Sequence, residues 1–287
     1  MRPSTFSIVA ADVASHEIGV AVQSKFLSVG AAVPWASADA GAVATQAWAN
    51  TAYGPRGLQL LRDGLEPQQV IASLTAEDPQ KDDRQIGVVG KDARCATFTG
   101  TRCMEWAGGV AGEGFAAQGN ILAGPAVVTA MGDAFTAARG SLADRLIAAL
   151  RAGQKVGGDR RGQQSAALLI VKPAGGYGGF NDRYVDLRVD DHPEPIEELA
   201  RILELHKLYF FPPEPRDVLP IDAGLGREIA ALLARAGELP AGAAFDDAAR
   251  ATLVKFMHRE NLENRVREDG TIDRQTLDYL KNAAERC

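Results

Sequence analysis

The order in which short strands and paired helices alternate is the sequence feature that most constrains the fold. Apolar, β-prone segments separated by polar or Gly-rich turns fill the first part of the chain, beginning with a predicted hairpin over residues 5–11 and 18–24. The hydrophobic period then changes to that of a helix in two places, and each place predicts a pair of helices. Hairpins interrupted by helix pairs favour an α+β fold of two stacked sheets flanked by helices over a doubly wound parallel sheet.

The predicted elements also divide the chain of 287 residues into two domains. Strands are expected at 5–11, 18–24, 28–34, 41–47, 85–89, 95–98, 114–118, 164–172 and 183–189, and helices within 58–74 and at 125–139, 141–152 and 195–209. A Pro-rich segment at 211–215 cannot continue the last helix. Three helical patterns beyond it predict a small all-helical domain, so the expected domains are residues 1–211 and 212–287.

Composition and charge argue against several classes of function. The formal net charge is −6 and the pI is about 5.4, whereas a dedicated nucleic-acid-binding protein is usually basic. The three cysteines and four histidines lack metal-binding spacing, so no metal is expected. No phosphate-binding Gly-rich loop follows a predicted strand, and no cofactor is expected. Because neither a secretory signal nor a membrane-spanning stretch is expected, the chain is predicted to be cytoplasmic, with no membrane partner.

Seven short segments form an ordered set over about residues 5–208, namely 5–10, 19–26, 41–46, 53–57, 118–120, 157–165 and 181–186. This set resembles the domain of unknown function 1028 family, which is grouped with the N-terminal-nucleophile (Ntn) hydrolases. The resemblance implies a four-layer αββα sandwich, in agreement with the element order. Residues 261–273 are similar to a peptidoglycan-binding-like domain found appended to this family.

The resemblance makes Thr5 the candidate nucleophile. In an Ntn hydrolase the first residue attacks an amide carbonyl, and its own α-amine, whose unperturbed pKa is about 7.7–8.0, serves as the general base. Residues Met1–Ser4 precede Thr5, so this role requires their removal. Ser7, on the same strand face, is a second candidate. The alternative is that Thr5 is a β-branched strand residue without a chemical role.

Further residues are expected to assist the reaction or bind the substrate. Lys25 would favour the attacking alkoxide, and the Asn120 amide would donate a hydrogen bond to an oxyanion. Gln118 is expected among the substrate-binding residues. Tyr53 and Arg56, before a helix N-terminus, are expected to bind an anionic group. The alternatives are a solvated lysine at a strand end, a turn asparagine, and helix capping or packing.

The densest polar segment next to a predicted buried strand is 159–165. Arg160 and Arg161 are expected to hold a substrate carboxylate, because a guanidinium binds a carboxylate through two parallel hydrogen bonds. Asp159 and Ser165 are expected to orient groups near the nucleophile. The alternative is a solvated charged loop.

Together with the resemblance, these residues predict a hydrolase that cleaves a non-peptide C–N amide bond of a small substrate. One alternative is a non-catalytic small-ligand-binding protein that keeps the sandwich and its pocket. Another is a cell-wall-related protein guided by its C-terminal helices. Apolar Ala and Leu faces within 125–150 favour association into a homo-oligomer, most simply a dimer.

Overall fold

The computed structural model of the chain describes residues 5–286, which form two compact units, one through Ile202 and one from Leu203. The division lies within a helix, Pro195–Phe210, whereas the sequence predicted a boundary just after that helix. No helix among the described residues is long and apolar enough to cross a membrane.

The first unit alternates strands and helices in the predicted order. Its strands are β1 (Thr5–Asp12), β2 (Glu17–Ser24), β3 (Pro34–Ser37), β4 (Gly41–Ala47), β5 (Arg84–Gly90), β6 (Cys95–Thr99), β7 (Gly108–Gly112), β8 (Phe115–Asn120), β9 (Ser165–Val171) and β10 (Arg183–Val189). Its helices are α1 (Tyr53–Arg62), α2 (Pro67–Ala76), α3 (Ala126–Ala137), α4 (Leu142–Lys155) and the first part of α5 (Pro195–Phe210).

Two antiparallel sheets hold the core of the first unit. The larger has the strand order β10-β9-β2-β1-β8-β7 and the smaller β3-β4-β5-β6. Side chains on both faces of β1 and β2 are buried, which explains the nearly continuous apolar runs of these two strands. Val9 and Val22 pack between the sheets against Ala42 and Val89. Helices α3 and α4 contact the larger sheet, while α1 and α2 contact the smaller one.

The structure corrects the sequence prediction in two places in this unit. Residues 28–34 were predicted as a strand but contain a 3-10 turn at Val29–Ala31, and β3 begins only at Pro34. The backbone of Ser28 is left-handed, with φ 53°, and this conformation ends the extended run. Strand β7 was not predicted because three of its five residues are glycine, a residue of low β-propensity.

The second unit is mainly helical, with α6 (Ala223–Arg235), α7 (Asp247–Arg259) and α8 (Arg274–Arg286). Asp222 and Asp246 cap the first two of these helices by accepting hydrogen bonds from backbone N–H groups. The prediction of an all-helical domain is wrong in one respect, because β11 (Val218–Pro220) and β12 (Thr271–Asp273) pair as a short antiparallel sheet. Strands of three residues are too short to produce a recognisable period.

A buried ion pair stabilises the second unit. Arg265 Nη1 lies 2.8 Å from Asp273 Oδ1, and both side chains are at most 1% exposed. The Arg265 guanidinium also donates to the carbonyl oxygens of Leu208 and Lys207, and Asp273 accepts from the Thr276 hydroxyl at 2.7 Å. Every charge in this cluster is therefore hydrogen-bonded, which is the condition under which a buried ion pair is tolerated.

Replacement of Asp273 by alanine is expected to destabilise the second unit by about 3–5 kcal/mol, because the Arg265 charge would remain buried without its partner. Native-state hydrogen exchange of the α8 amides measures this loss. Asp278→Ala is the matched control, since Asp278 is 60% exposed and lies 3.9 Å from Lys281. The control is expected to change stability by less than about 1 kcal/mol. Equal protection of α8 in the two variants would contradict the role of the buried pair.

Candidate functional site

Four polar side chains lie side by side across one end of the larger sheet. Thr5 on β1 pairs with Ser24 on β2 and with Asn120 on β8, and Ser24 pairs in turn with Ser165 on β9. All four residues are at most 1% exposed. The hydroxyl oxygens of Thr5 and Ser24 are 3.1 Å apart, within hydrogen-bonding distance. We call these four residues the polar row.

A chain of buried hydrogen bonds next to the polar row joins the two sheets. Gln118 Nε2 donates to Ser7 Oγ at 2.7 Å, and the Ser7 hydroxyl donates to Gln46 Oε1 at 2.6 Å. Gln46 Nε2 then donates to Gln85 Oε1 at 2.8 Å. Gln85 Nε2 donates to the Gly119 carbonyl oxygen at 2.7 Å. Because β1 and β8 belong to the larger sheet and β4 and β5 to the smaller, these bonds fix one sheet against the other.

Asn120 belongs both to the polar row and to this chain of hydrogen bonds. Its Nδ2 donates to Gln85 Oε1 at 3.0 Å. We call Ser7, Gln46, Gln85, Gln118 and Asn120 the glutamine network. Asn120 also lines a small crevice of about 10 Å³. Gln118 and Asn120, both predicted as site residues, are therefore brought together with Thr5, and Ser7, the second candidate nucleophile, lies inside the network.

An open cavity of about 260 Å³ adjoins Thr5. We call it the Thr5 cavity. Its wall consists of Thr5, Phe26, Val29, Ala32, Val33, Gln46, Trp48, Ala49 and Thr51. Trp48 is 45% exposed although its indole is largely apolar, which places an aromatic side chain at the surface beside the opening. The predicted nucleophile thus contributes to the wall of a cavity large enough for a small organic ligand.

Ser165 connects the polar row to the backbone of the cavity wall. Its hydroxyl donates to the Phe26 carbonyl oxygen at 2.5 Å and accepts from the Val29 amide at 3.0 Å. Ser165 was predicted to orient groups near the nucleophile. Its contacts hold the segment that supplies Phe26 and Val29 to the cavity.

Lys25 and Asp159 lie beside the polar row but are not among the residues that line the cavity. The exposed Lys25 donates from Nζ to the Gln163 carbonyl oxygen at 3.1 Å, and its backbone amide donates to Asp159 Oδ2 at 3.0 Å. In the described part of the chain no hydrogen bond joins Lys25 Nζ to Thr5. Asp159 is 3% exposed and also accepts from the Arg161 backbone amide at 2.8 Å. Asp159 therefore anchors the end of β2.

The two arginines of the predicted carboxylate site bond to other groups of this chain. The Arg161 guanidinium lies 3.2 Å from Asp159 Oδ2, and Arg160 Nη1 donates to the Glu105 carbonyl oxygen at 3.3 Å. Neither side chain lines the Thr5 cavity. The structure therefore places this cationic segment next to the polar row without directing it into the cavity.

Tyr53 and Arg56 lie in the first turn of α1 and line a separate cavity of about 230 Å³. Arg56 pairs with Glu77 at 2.6 Å, and the Tyr53 hydroxyl donates to Asp78 at 2.7 Å. Burial, together with the hydrogen bond to Asp78, raises the pKa of the Tyr53 phenol well above its usual range. Both side chains are therefore engaged with carboxylates of the protein, and their role in binding an anionic group stays a prediction.

The Asp78 carboxylate is also held by Arg84, which the sequence did not single out. The two groups are 2.8 Å apart, and both side chains are less than a tenth exposed. The hydrogen bond from Arg84, followed by that from Tyr53, holds the pKa of Asp78 far below its usual range despite burial. Arg84 also donates to the Trp48 carbonyl oxygen at 2.5 Å. The pair therefore fixes the backbone that carries Trp48 into the wall of the Thr5 cavity.

The sequence prediction missed Ser24, Gln46 and Gln85. One signal for the glutamines was present, since Gln46, Gln85 and Gln118 each occur near an end of an otherwise mostly apolar, fully buried strand. A long polar side chain buried in such a strand usually has an internal partner. Only the packing of the two sheets reveals that Gln46 and Gln85 bond each other and that Ser7 links Gln46 to Gln118.

Replacement of Gln85 by leucine is expected to lower the free energy of unfolding by about 2–4 kcal/mol, because it removes the acceptor of two amide groups and a donor to the Gly119 carbonyl. Gln23→Leu is the matched control. Gln23 is also fully buried, but its side-chain amide has no hydrogen-bond partner among the described residues. This control is expected to leave stability unchanged or to raise it. Urea denaturation measures the free energy of unfolding of both variants. Equal decreases in the two would show that the glutamine network contributes nothing specific to stability.

Replacement of Asp78 by asparagine is expected to lower the free energy of unfolding at pH 7 by about 3 kcal/mol, because the buried Arg84 charge loses its partner. The pKa of Asp78 is depressed by folding, so this contribution is complete above the unfolded value of about 3.9 and declines as the pH falls through the folded value. Urea denaturation from pH 7 to pH 2 should therefore show the difference between wild type and variant narrowing below about pH 4. A constant difference would contradict the role of the charge.

Comparison with known proteins identifies the family. Residues 5–199 match the model described as "Family of unknown function (DUF1028)", and residues 209–280 match the model described as "Putative peptidoglycan binding domain". The crystal structure of protein SPO2555 from Silicibacter pomeroyi, described with the same DUF1028 family, is 32% identical with a TM-score of 0.66, covering 72% of this chain and 91% of that chain. No curated protein matches the chain. The chain therefore belongs to the DUF1028 family of unknown function, and a peptidoglycan-binding-like domain follows its family domain.

Proposed function

We propose that the first unit is an Ntn-type amidohydrolase that cleaves a C–N amide bond of a small substrate with Thr5 as its nucleophile. In this proposal the two sheets and their flanking helices form the αββα sandwich of the Ntn superfamily. The observation that carries the proposal is the position of Thr5, which lies at the start of a central strand, between the sheets, in the wall of a ligand-sized cavity.

The proposed reaction begins with removal of Met1–Ser4, which lie outside the described residues. Removal would free the Thr5 amine, whose unperturbed pKa of about 7.7–8.0 suits a general base. The amine would take the hydroxyl proton while Oγ1 attacks the amide carbon, and that proton would leave with the departing amine as the C–N bond breaks. Water would then hydrolyse the ester to release the acid and restore Thr5.

The neighbours of Thr5 in the polar row have supporting roles in this proposal. The Ser24 hydroxyl, 3.1 Å from Thr5 Oγ1, would orient the nucleophile. Asn120, on the adjacent strand, would contribute a donor to the oxyanion. No step is assigned to Lys25, because its Nζ is bonded to the Gln163 carbonyl oxygen and its side chain is exposed.

The second candidate function is binding of a small ligand without catalysis. It is favoured by the complete burial of Thr5 and by the hydrogen bond that already joins its hydroxyl to Ser24. In this case Met1–Ser4 would be retained and the cavity would be the functional element.

Intact-mass measurement and hydrolysis of a panel of small amides test the first proposal against the second. The active protein is expected to begin at Thr5, and Thr5→Ala is expected to lower turnover by at least about 10³-fold, with partial recovery in Thr5→Ser. Thr51→Ala is the matched control, because Thr51 also lines the cavity but is exposed. Its turnover should remain within about threefold of wild type. Equal hydrolysis by wild type and Thr5→Ala, or a chain that keeps Met1 while active, would reject Thr5 as the nucleophile.

A further inference from the structure

The described side chains that form the wall of the Thr5 cavity carry no charge. Of the nine described residues that form it, none is ionisable, and six are the apolar residues Phe26, Val29, Ala32, Val33, Trp48 and Ala49. The remaining three are Thr5, Gln46 and Thr51. A ligand group that enters this cavity therefore meets mainly carbon atoms.

The buried polar side chains of the wall are already engaged within the protein. Gln46 accepts from Ser7 and donates to Gln85, so its amide is directed into the glutamine network. The Thr5 hydroxyl is within hydrogen-bonding distance of Ser24. Thr51 is exposed and does not provide a buried polar group. The cavity consequently offers a bound group almost no new hydrogen bonds.

Two described cationic side chains near the wall or the polar row bond to other groups of the protein. Lys25 is bonded to the Gln163 carbonyl oxygen, and Arg84 to Asp78 and the Trp48 carbonyl oxygen. Moving a carboxylate or an ammonium against these described wall side chains would remove its hydration without supplying a counter-charge from them, which is strongly unfavourable. The same cavity favours an alkyl or aryl group, because removing apolar surface from water is favourable.

We propose that the Thr5 cavity selects an uncharged, apolar group, such as an alkyl chain or a phenyl ring, on a small amide. The size is suitable, since a dry apolar cavity of about 150 Å³ holds benzene and this one measures about 260 Å³. The inference rests on the proposed function only in placing the amide at Thr5. Binding of the apolar group does not require that the amide be cleaved.

Binding of two matched amides tests the selection. Hexanamide and the monoamide of adipic acid have the same six-carbon chain and primary amide, but the second carries a terminal carboxylate at pH 7. Calorimetric titration of the full chain carrying Thr5→Ala measures binding without turnover. The dissociation constant of hexanamide is expected to be at least about tenfold lower than that of the adipic monoamide. Equal affinities, or tighter binding of the charged amide, would overturn the proposal.

A charge placed in the wall should reverse the selection. Ala32 lines the cavity, whereas the neighbouring Ala31 is exposed and is not part of the wall. Added to the Thr5→Ala protein, Ala32→Arg is expected to tighten binding of the adipic monoamide by at least about tenfold, and Ala31→Arg is expected to leave the preference for hexanamide unchanged. Identical behaviour of the two arginine variants would count against the cavity as the binding site.

A third variant covers the case in which Ala32→Arg does not fold, as judged by circular dichroism. Ala49→Phe fills the same cavity from a partly exposed position and should weaken hexanamide binding by at least about tenfold. Unchanged affinity would overturn the proposal.

Failure of the proposed function gives a different result, namely preferential binding of hexanamide by a wild-type chain that hydrolyses no amide. Hydrolysis of both amides at equal kcat/KM would instead reject the selection and retain the function.

Discussion

The hydrogen bonds that join the two sheets are the interaction on which the rest of the first unit depends. An amide side chain buried without a partner is costly, so Gln46 of one sheet requires Ser7 of the other, and Gln85 requires Asn120 and the Gly119 carbonyl. These bonds are made in only one register. A shift of β1 by one residue would turn Ser7 and Thr5 toward the helices. The requirement that satisfies the glutamines therefore also places Thr5 beside its cavity.

Local patterns predicted most of the first unit because its strands and helices differ in hydrophobic period. The opening hairpin, the strand 41–47 and the helix pairs are confirmed, since each has a clear period of its own. The predictions failed where conformation depends on something other than apolar spacing. A left-handed backbone at Ser28 ends one predicted strand, and the glycines of β7 give no β signal although the strand pairs with β8.

The candidate site was only partly predictable, because its residues meet through long-range contacts. Thr5, Asn120 and Ser165 were identified from their segments, and cross-strand pairing brings them into one row. Sequence alone could not show that the Arg161 guanidinium bonds Asp159 two residues earlier, or that Tyr53 bonds Asp78. A polar residue beside a buried strand has the same local appearance whether its partner is a ligand or another part of the protein.

The bonds of Ser165 to Phe26 and Val29 have a consequence for how this protein can diversify. They fasten the backbone of the cavity wall to the same sheet that carries Thr5, so the wall and Thr5 share one rigid frame. Side chains such as Ala32 and Ala49 project from that frame without supporting it. Homologous chains could therefore acquire different ligand preferences by exchanging a few wall residues, while the position of the Thr5 hydroxyl stays the same.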